Sequence, residues 1–176
     1  DAQGSDVVLV FSVDSFSLRP DLRLSGLTIK NGNSVSDGGG LYVKTNGSLH
    51  IVDTKFNSNH SDGNGGGLFV AFGAAGVFID RASFIGNTSA SIGGGAATLS
   101  SVGTFQITNS LFIENGSYTR GGALQVGDRS GATSVDAILN NTFAFNYLTA
   151  YCSICGGAGL YLNLSDETSA VEIRNN

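Results

Sequence analysis

The feature that most constrains this chain is a repeat of about 28 residues that runs through nearly all of it. A glycine-rich start followed by apolar residues recurs as Gly38-Gly39-Gly40-Leu41-Tyr42-Val43, Gly65-Gly66-Gly67-Leu68-Phe69-Val70, Gly93-Gly94-Gly95-Ala96-Ala97-Thr98, Gly121-Gly122-Ala123-Leu124-Gln125-Val126 and Gly156-Gly157-Ala158-Gly159-Leu160-Tyr161, at spacings of 27, 28, 28 and 35. A second column stands at Leu24, Ile51, Ile79, Ile107, Ile138 and Ile173. Five residues after each of its first five members comes a third, Ile29, Phe56, Phe84, Phe112 and Phe143. Each period thus holds three short apolar segments between Gly, Asn, Asp and Ser turns, too short and too glycine-rich for helices. One period cannot bury its own apolar face, whereas coils stacked at the usual strand spacing of roughly 4.8 Å enclose a continuous core. The expected fold is all-β: a right-handed parallel β-helix of three-stranded coils, five to six in number, with no cap at either end.

The whole of residues 1–176 reads as a single β-helix segment of a longer chain. Residues 1–23 form an irregular first coil that connects through Arg19-Pro20-Asp21, residues 24–146 the regular repeats, 147–155 an inserted loop, and 156–176 a last coil. Insertions between repeats project from a solenoid without disturbing the stack, which is why the long last gap is expected to be a loop.

Composition narrows the function classes. Only 13% of residues are charged while 41% are hydrophobic, a balance that argues against disorder. A net charge of −5 with nine scattered Lys and Arg offers no basic stripe, so nucleic acid is not an expected partner. Apolar runs such as Val7 to Phe11 and Leu68 to Phe72 fall far short of the roughly 20 residues that span a bilayer, so direct membrane insertion is not expected either.

Interleaved with the glycine motifs are Phe56-Asn57-Ser58-Asn59, Phe84-Ile85-Gly86-Asn87, Phe112-Ile113-Glu114-Asn115 and Phe143-Ala144-Phe145-Asn146. Glycine-glycine-alanine-aliphatic segments alternating with Phe-x-x-Asn resemble the repeats of the chlamydial-type polymorphic outer-membrane proteins, over roughly residues 24–176. The resemblance implies a β-helical region displayed on a cell surface and acting in adhesion. The expectation is a noncatalytic structural or adhesive segment of a large extracellular or cell-surface protein. Its partners would be further copies, other chains of an extracellular assembly or filament, or a cell surface.

Six Asn-x-Ser/Thr sequons raise the question of N-linked glycans. Asn59, Asn87 and Asn115 recur at one turn of successive coils, where Asn side chains can stack and bond to neighbouring backbone in a ladder that a glycan would break. Asn46, Asn140 and Asn163 are the better acceptors, Asn46 and Asn163 because they fall between strands. Cys152 and Cys155 are read as a local disulfide bracing the inserted loop, with two buried thiols as the alternative. Zinc would need four ligands and only His50 and His60 exist elsewhere, so no metal site and no cofactor are expected. The rival class is a carbohydrate-active, pectate-lyase-like β-helix or carbohydrate-binding module. Such chemistry needs paired carboxylates converging on one face. Two residues past the Ile column the chain presents Gly26, Asp53, Arg81, Asn109, Asn140 and Asn175, with Asp53, Asp80 and Arg81 expected as a surface ion pair.

Overall fold

The computed structural model describes residues 6–13, 17–127, 135–150, 155–164 and 170–176. Every regular element among them is a β-strand, and all strand pairs are parallel. The strands form four sheets that run along a solenoid of about five turns. The first sheet contains Leu9–Ser12, Leu41–Lys44, Leu68–Val70, Ala97–Leu99, Leu124–Val126 and Leu160–Leu162. The second contains Leu22–Ser25, Ser48–Val52, Gly76–Asp80, Thr104–Thr108, Val135–Leu139 and Ala170–Arg174. The third runs through Thr28–Lys30, Lys55–Asn57, Ser83–Ile85, Leu111–Ile113 and Thr142–Ala144.

These three are the sheets the apolar columns predict. Register places Leu24 against Ile51, Ile51 against Ile79, Ile79 against Ile107, and Ile107 against Ile138. It likewise stacks Ile29, Phe56, Phe84, Phe112 and Phe143. The phenylalanine rings stack nearly parallel at centroid separations of 4.6, 4.9 and 4.8 Å, which is the coil spacing itself.

A fourth strand of two residues completes each coil: Asn33–Ser34, His60–Ser61, Thr88–Ser89, Gly116–Ser117 and Tyr147–Leu148. It follows the third sheet after a single sharp corner. Tyr147–Leu148 pairs with Gly116–Ser117, so the stack continues two residues into the segment expected to leave it as a loop. Register also revises the glycine column. Ala97 pairs with both Leu68 and Leu124, and Ala96 N–H donates to the Ala123 carbonyl, so Gly95 stands level with Gly66 and Gly122. Gly93 is therefore one extra residue in the third coil rather than the start of its motif.

Glycine is required in this column by proximity. An ideal Cβ on Gly39, Gly66 or Gly95 would overlap two backbone carbonyl oxygens, one on the fourth strand of the next coil and one on that coil's own glycine. The interior is otherwise filled by buried Leu41, Val43, Leu49, Ile51, Phe56 and their equivalents in later coils.

Candidate functional site

Two corners of the coil are built alike. Two residues after each member of the Ile column the backbone enters the left-handed region, at Gly26, Asp53, Arg81, Asn109, Asn140 and Asn175, with φ between 48° and 67°. The same happens two residues after the aromatic column, at Asn31, Ser58, Gly86, Glu114 and Phe145. One left-handed residue between two strands turns the chain sharply, which Gly, Asn and Asp tolerate best. The polar residues counted at the first corner are thus turn formers.

The next residue points inward. Asn59, Asn87 and Asn115 are fully buried and linked from coil to coil. Asn59 donates to Asn87 Oδ1 from its backbone N–H and from Nδ2, at 3.1 and 2.9 Å. Asn87 donates in the same way to Asn115 at 3.0 Å each, and Asn115 to Asn146 at 2.9 and 3.0 Å. The second Nδ2 hydrogen of each reaches a carbonyl of the preceding coil, on Ile29, Phe56 and Phe84 respectively. Every donor and acceptor of the side chain is used, and no amide hydrogen is left for a glycan. A second ladder begins at the other corner, where Asn141 donates from N and Nδ2 to Asn176 Oδ1 at 2.9 and 3.1 Å, and its own Oδ1 accepts from Ser110 N–H. Sequence reasoning missed it because Thr54, Ala82 and Ser110 precede it in the column.

Of the other sequon residues, Asn140 and Asn163 are exposed, whereas Asn46 is half-buried in a corner pocket. Asn140 lies in an outer row, accepting from Asn175 Nδ2 at 3.1 Å and donating to Asn109 Oδ1 at 3.3 Å. The proposed Cys152–Cys155 bridge involves Cys152, which lies outside the described residues.

The structure brings Asp53, Asp80 and Arg81 together. Arg81 grips Asp53 in a bidentate pair, Nε to Oδ1 at 2.8 Å and Nη2 to Oδ2 at 3.0 Å, and also pairs with Asp80. The hydrogen bond from Arg81 holds the Asp53 carboxyl below its ordinary range. Burial pushes Asp80 up, but hydrogen bonds from Asn109 and Thr108 and the Arg81 charge outweigh it, and its pKa is lowered. Both acids share one cation, and each is held ionised by it, an arrangement unlike a general acid facing a general base.

A hydroxyl, an imidazole and a carboxylate also meet on the fourth sheet. His60 Nδ1 lies 2.8 Å from Thr88 Oγ1 and Nε2 lies 3.3 Å from Asp62 Oδ1. Asp62 is well exposed to water. One acid is buried outright: Asp136 occupies the position held by Leu49, Val77 and Phe105 in earlier coils, and its Oδ1 accepts from Phe105 N–H at 2.8 Å and Thr104 Oγ1 at 2.9 Å. Among the described residues no group of three or more His, Cys, Asp or Glu is placed to hold a metal ion.

The pocket lies where the chain passes from the first sheet to the second. It measures about 390 Å³, and the described residues lining it are Arg19, Asn46, Gly73, Ala74, Ala75, Ser101, Val102 and Gly103. Its walls are corner loops of successive coils, joined by Ala75 N–H to Gly47 O at 2.9 Å and Gly103 N–H to Ala74 O at 2.8 Å. These features define the class: the chain is a parallel β-solenoid with polar ladders at two corners and a pocket at a third. Comparison with family models, with curated protein sequences and with solved structures returned no match.

Proposed function

We propose that this chain is a noncatalytic structural and adhesive segment of an extracellular or cell-surface protein, a stiff rod whose turns present contacts. The observation that carries the reading is Phe145. It stands at φ 56° in a column otherwise filled by Asn31, Ser58, Gly86 and Glu114, and it is 81% exposed. A bulky residue in left-handed backbone costs roughly 1–2 kcal/mol, and an exposed ring returns none of that to the fold. Such a residue suits a contact made with another surface. Further support comes from the resemblance of the Phe-x-x-Asn and glycine motifs to surface-displayed repeats. The interior polar groups serve inter-coil ladders, and the clustered carboxylates serve an ion pair.

The test is retention of the purified segment, coupled to beads, on cell layers and on matrix-coated surfaces under flow. Saturable retention that drops when Phe145→Ser is introduced is expected. Release of reducing ends from a panel of acidic and neutral polysaccharides would instead support a carbohydrate-active enzyme and overturn the reading. In native material we expect glycans at Asn140 or Asn163 with Asn59, Asn87 and Asn115 bare, and a Cys152–Cys155 linked peptide under non-reducing conditions. Both are read from one peptide mass map.

A further inference from the structure

We infer that the outer face of the third sheet is a docking surface for a second copy of this chain, laid against it with its rod axis reversed. The inference rests on the reading of Phe145 as a contact residue and names what that contact meets. The aromatic column points into the core, so the residues on either side of it point out. These are Lys30 and Lys55 on the first two strands of the sheet, and Ile85, Leu111, Ile113 and Ala144 on the later ones. The face is basic at one end and apolar at the other.

An acid borders the apolar end. Ile113 pairs with Ala144, and Glu114 N–H donates to the Ala144 carbonyl at 3.1 Å, so Glu114 and Phe145 stand one coil apart at the same corner. Both have φ 56°, and their Cα–Cβ bonds leave the corner in nearly the same direction, setting an exposed carboxylate beside a ring that is 81% exposed. Among the described residues Glu114 and Lys55 belong to no ion pair. Charges bordering the second sheet are instead paired within the chain, Arg23 with Asp21, Arg81 with Asp53 and Asp80, and Arg174 with Glu172. Unmatched charge of both signs is thus held on the third sheet, at opposite ends. A two-fold axis along the Ser83–Ile85 strand makes such a face its own complement. It sets Thr28–Lys30 against Thr142–Ala144 of the second copy, and Lys55–Asn57 against Leu111–Ile113, with Ile85 against its own equivalent. Lysines of each copy then come to Glu114 of the other, and Phe145 falls beside Lys30, whose stem and charge both suit a ring face.

Five strands roughly 4.8 Å apart, each three or four residues wide at roughly 3.3 Å, give a face on the order of 300 Å², well under a standard interface. The complex is therefore weak, and its charge pairs decide its register. Sedimentation velocity of the 176-residue chain up to about millimolar concentration, in about 20 mM and about 500 mM salt, tests this. A dimer with a Kd on the order of 100 µM is expected at low salt, weakened several-fold at high salt. Glu114→Lys alone, and Lys30→Glu together with Lys55→Glu, should each weaken self-association about tenfold or more. An equimolar mixture of these two variants should dimerise again, because every contact then rejoins opposite charges. All three positions are exposed, so the circular dichroism of both variants should match that of the unaltered chain. The inference is overturned if the chain stays monomeric at millimolar concentration, if either reversal leaves self-association unchanged, or if the mixture fails to dimerise. A monomeric chain whose retention on cells or matrix still falls with Phe145→Ser would leave adhesion standing and remove the second copy as its partner.

Discussion

At the scale of single residues, Asn87 shows what an interior amide is asked to do. It accepts two hydrogen bonds from Asn59 and donates three, two to Asn115 and one to the Phe56 carbonyl, all inside the protein. Asn87→Asp keeps the shape but removes the Nδ2 donors and buries a charge, and is expected to cost about 3 kcal/mol or more at neutral pH. Denaturant titration checks this, and partial recovery below the carboxyl's pKa would mark the charge as the cause. Phe84→Ala opens the ring stack between Phe56 and Phe112 and should cost about 3–5 kcal/mol in the same assay. On the surface the effect is one of pH. Asp53 and Asp80 both have folded pKa values below the ordinary aspartate value of 3.8. Their contribution is therefore present above that value and is lost as the pH falls through the lower, folded values. Arg81→Gln should flatten the acid limb of the stability profile below pH ~4 and leave its shape at neutral pH unchanged. At His50, burial first, then Arg23, lowers the pKa against a smaller opposing pull from Asp21. Protonation on acidification is therefore disfavoured in the folded state, and His50 contributes a stability that is lost as the pH falls through its unfolded value.

At the scale of elements, the two kinds of glycine behave differently. Gly66 sits where a Cβ would meet the Thr88 and Gly95 carbonyls, and neither can move without opening the ladder. Gly86 occupies left-handed backbone with open space around it. Gly66→Ala should therefore prevent stable folding, while Gly86→Ala should cost roughly 1–2 kcal/mol, compared by thermal melts followed by circular dichroism. Periodicity made the three main sheets legible, because Ile and Phe recur wherever a strand faces the core. It could not reveal the fourth strand, whose two-residue segments His60–Ser61, Thr88–Ser89 and Gly116–Ser117 have no apolar pattern. Nor could it resolve Gly93 from Gly94, since three adjacent glycines offer equivalent alignments and only hydrogen-bond register separates them. The Asn59, Asn87 and Asn115 ladder was legible from identity at constant spacing. The pocket was not, because Gly73, Ala74 and Gly103 define it by what they lack, and Arg19 reaches it from an irregular connection.

At the scale of the whole molecule, stability comes from each coil's contacts with its two neighbours, so one coil resembles any other as a support. Phe84 and Phe112 share a register position, and the same is true of Asn87 and Asn115. Excising residues 85–112 joins Phe84 to Ile113 and lets Asn59 meet Asn115 in place of Asn87. The shortened chain is expected to fold and melt cooperatively, whereas removing half that length should abolish folding, as circular dichroism and limited proteolysis would show. Register identity between successive coils thereby makes the length of the rod a heritable count. Unequal exchange between gene copies can add or delete one coil, with its roughly 4.8 Å of reach, and lineages can explore reach in whole steps without inventing a new core.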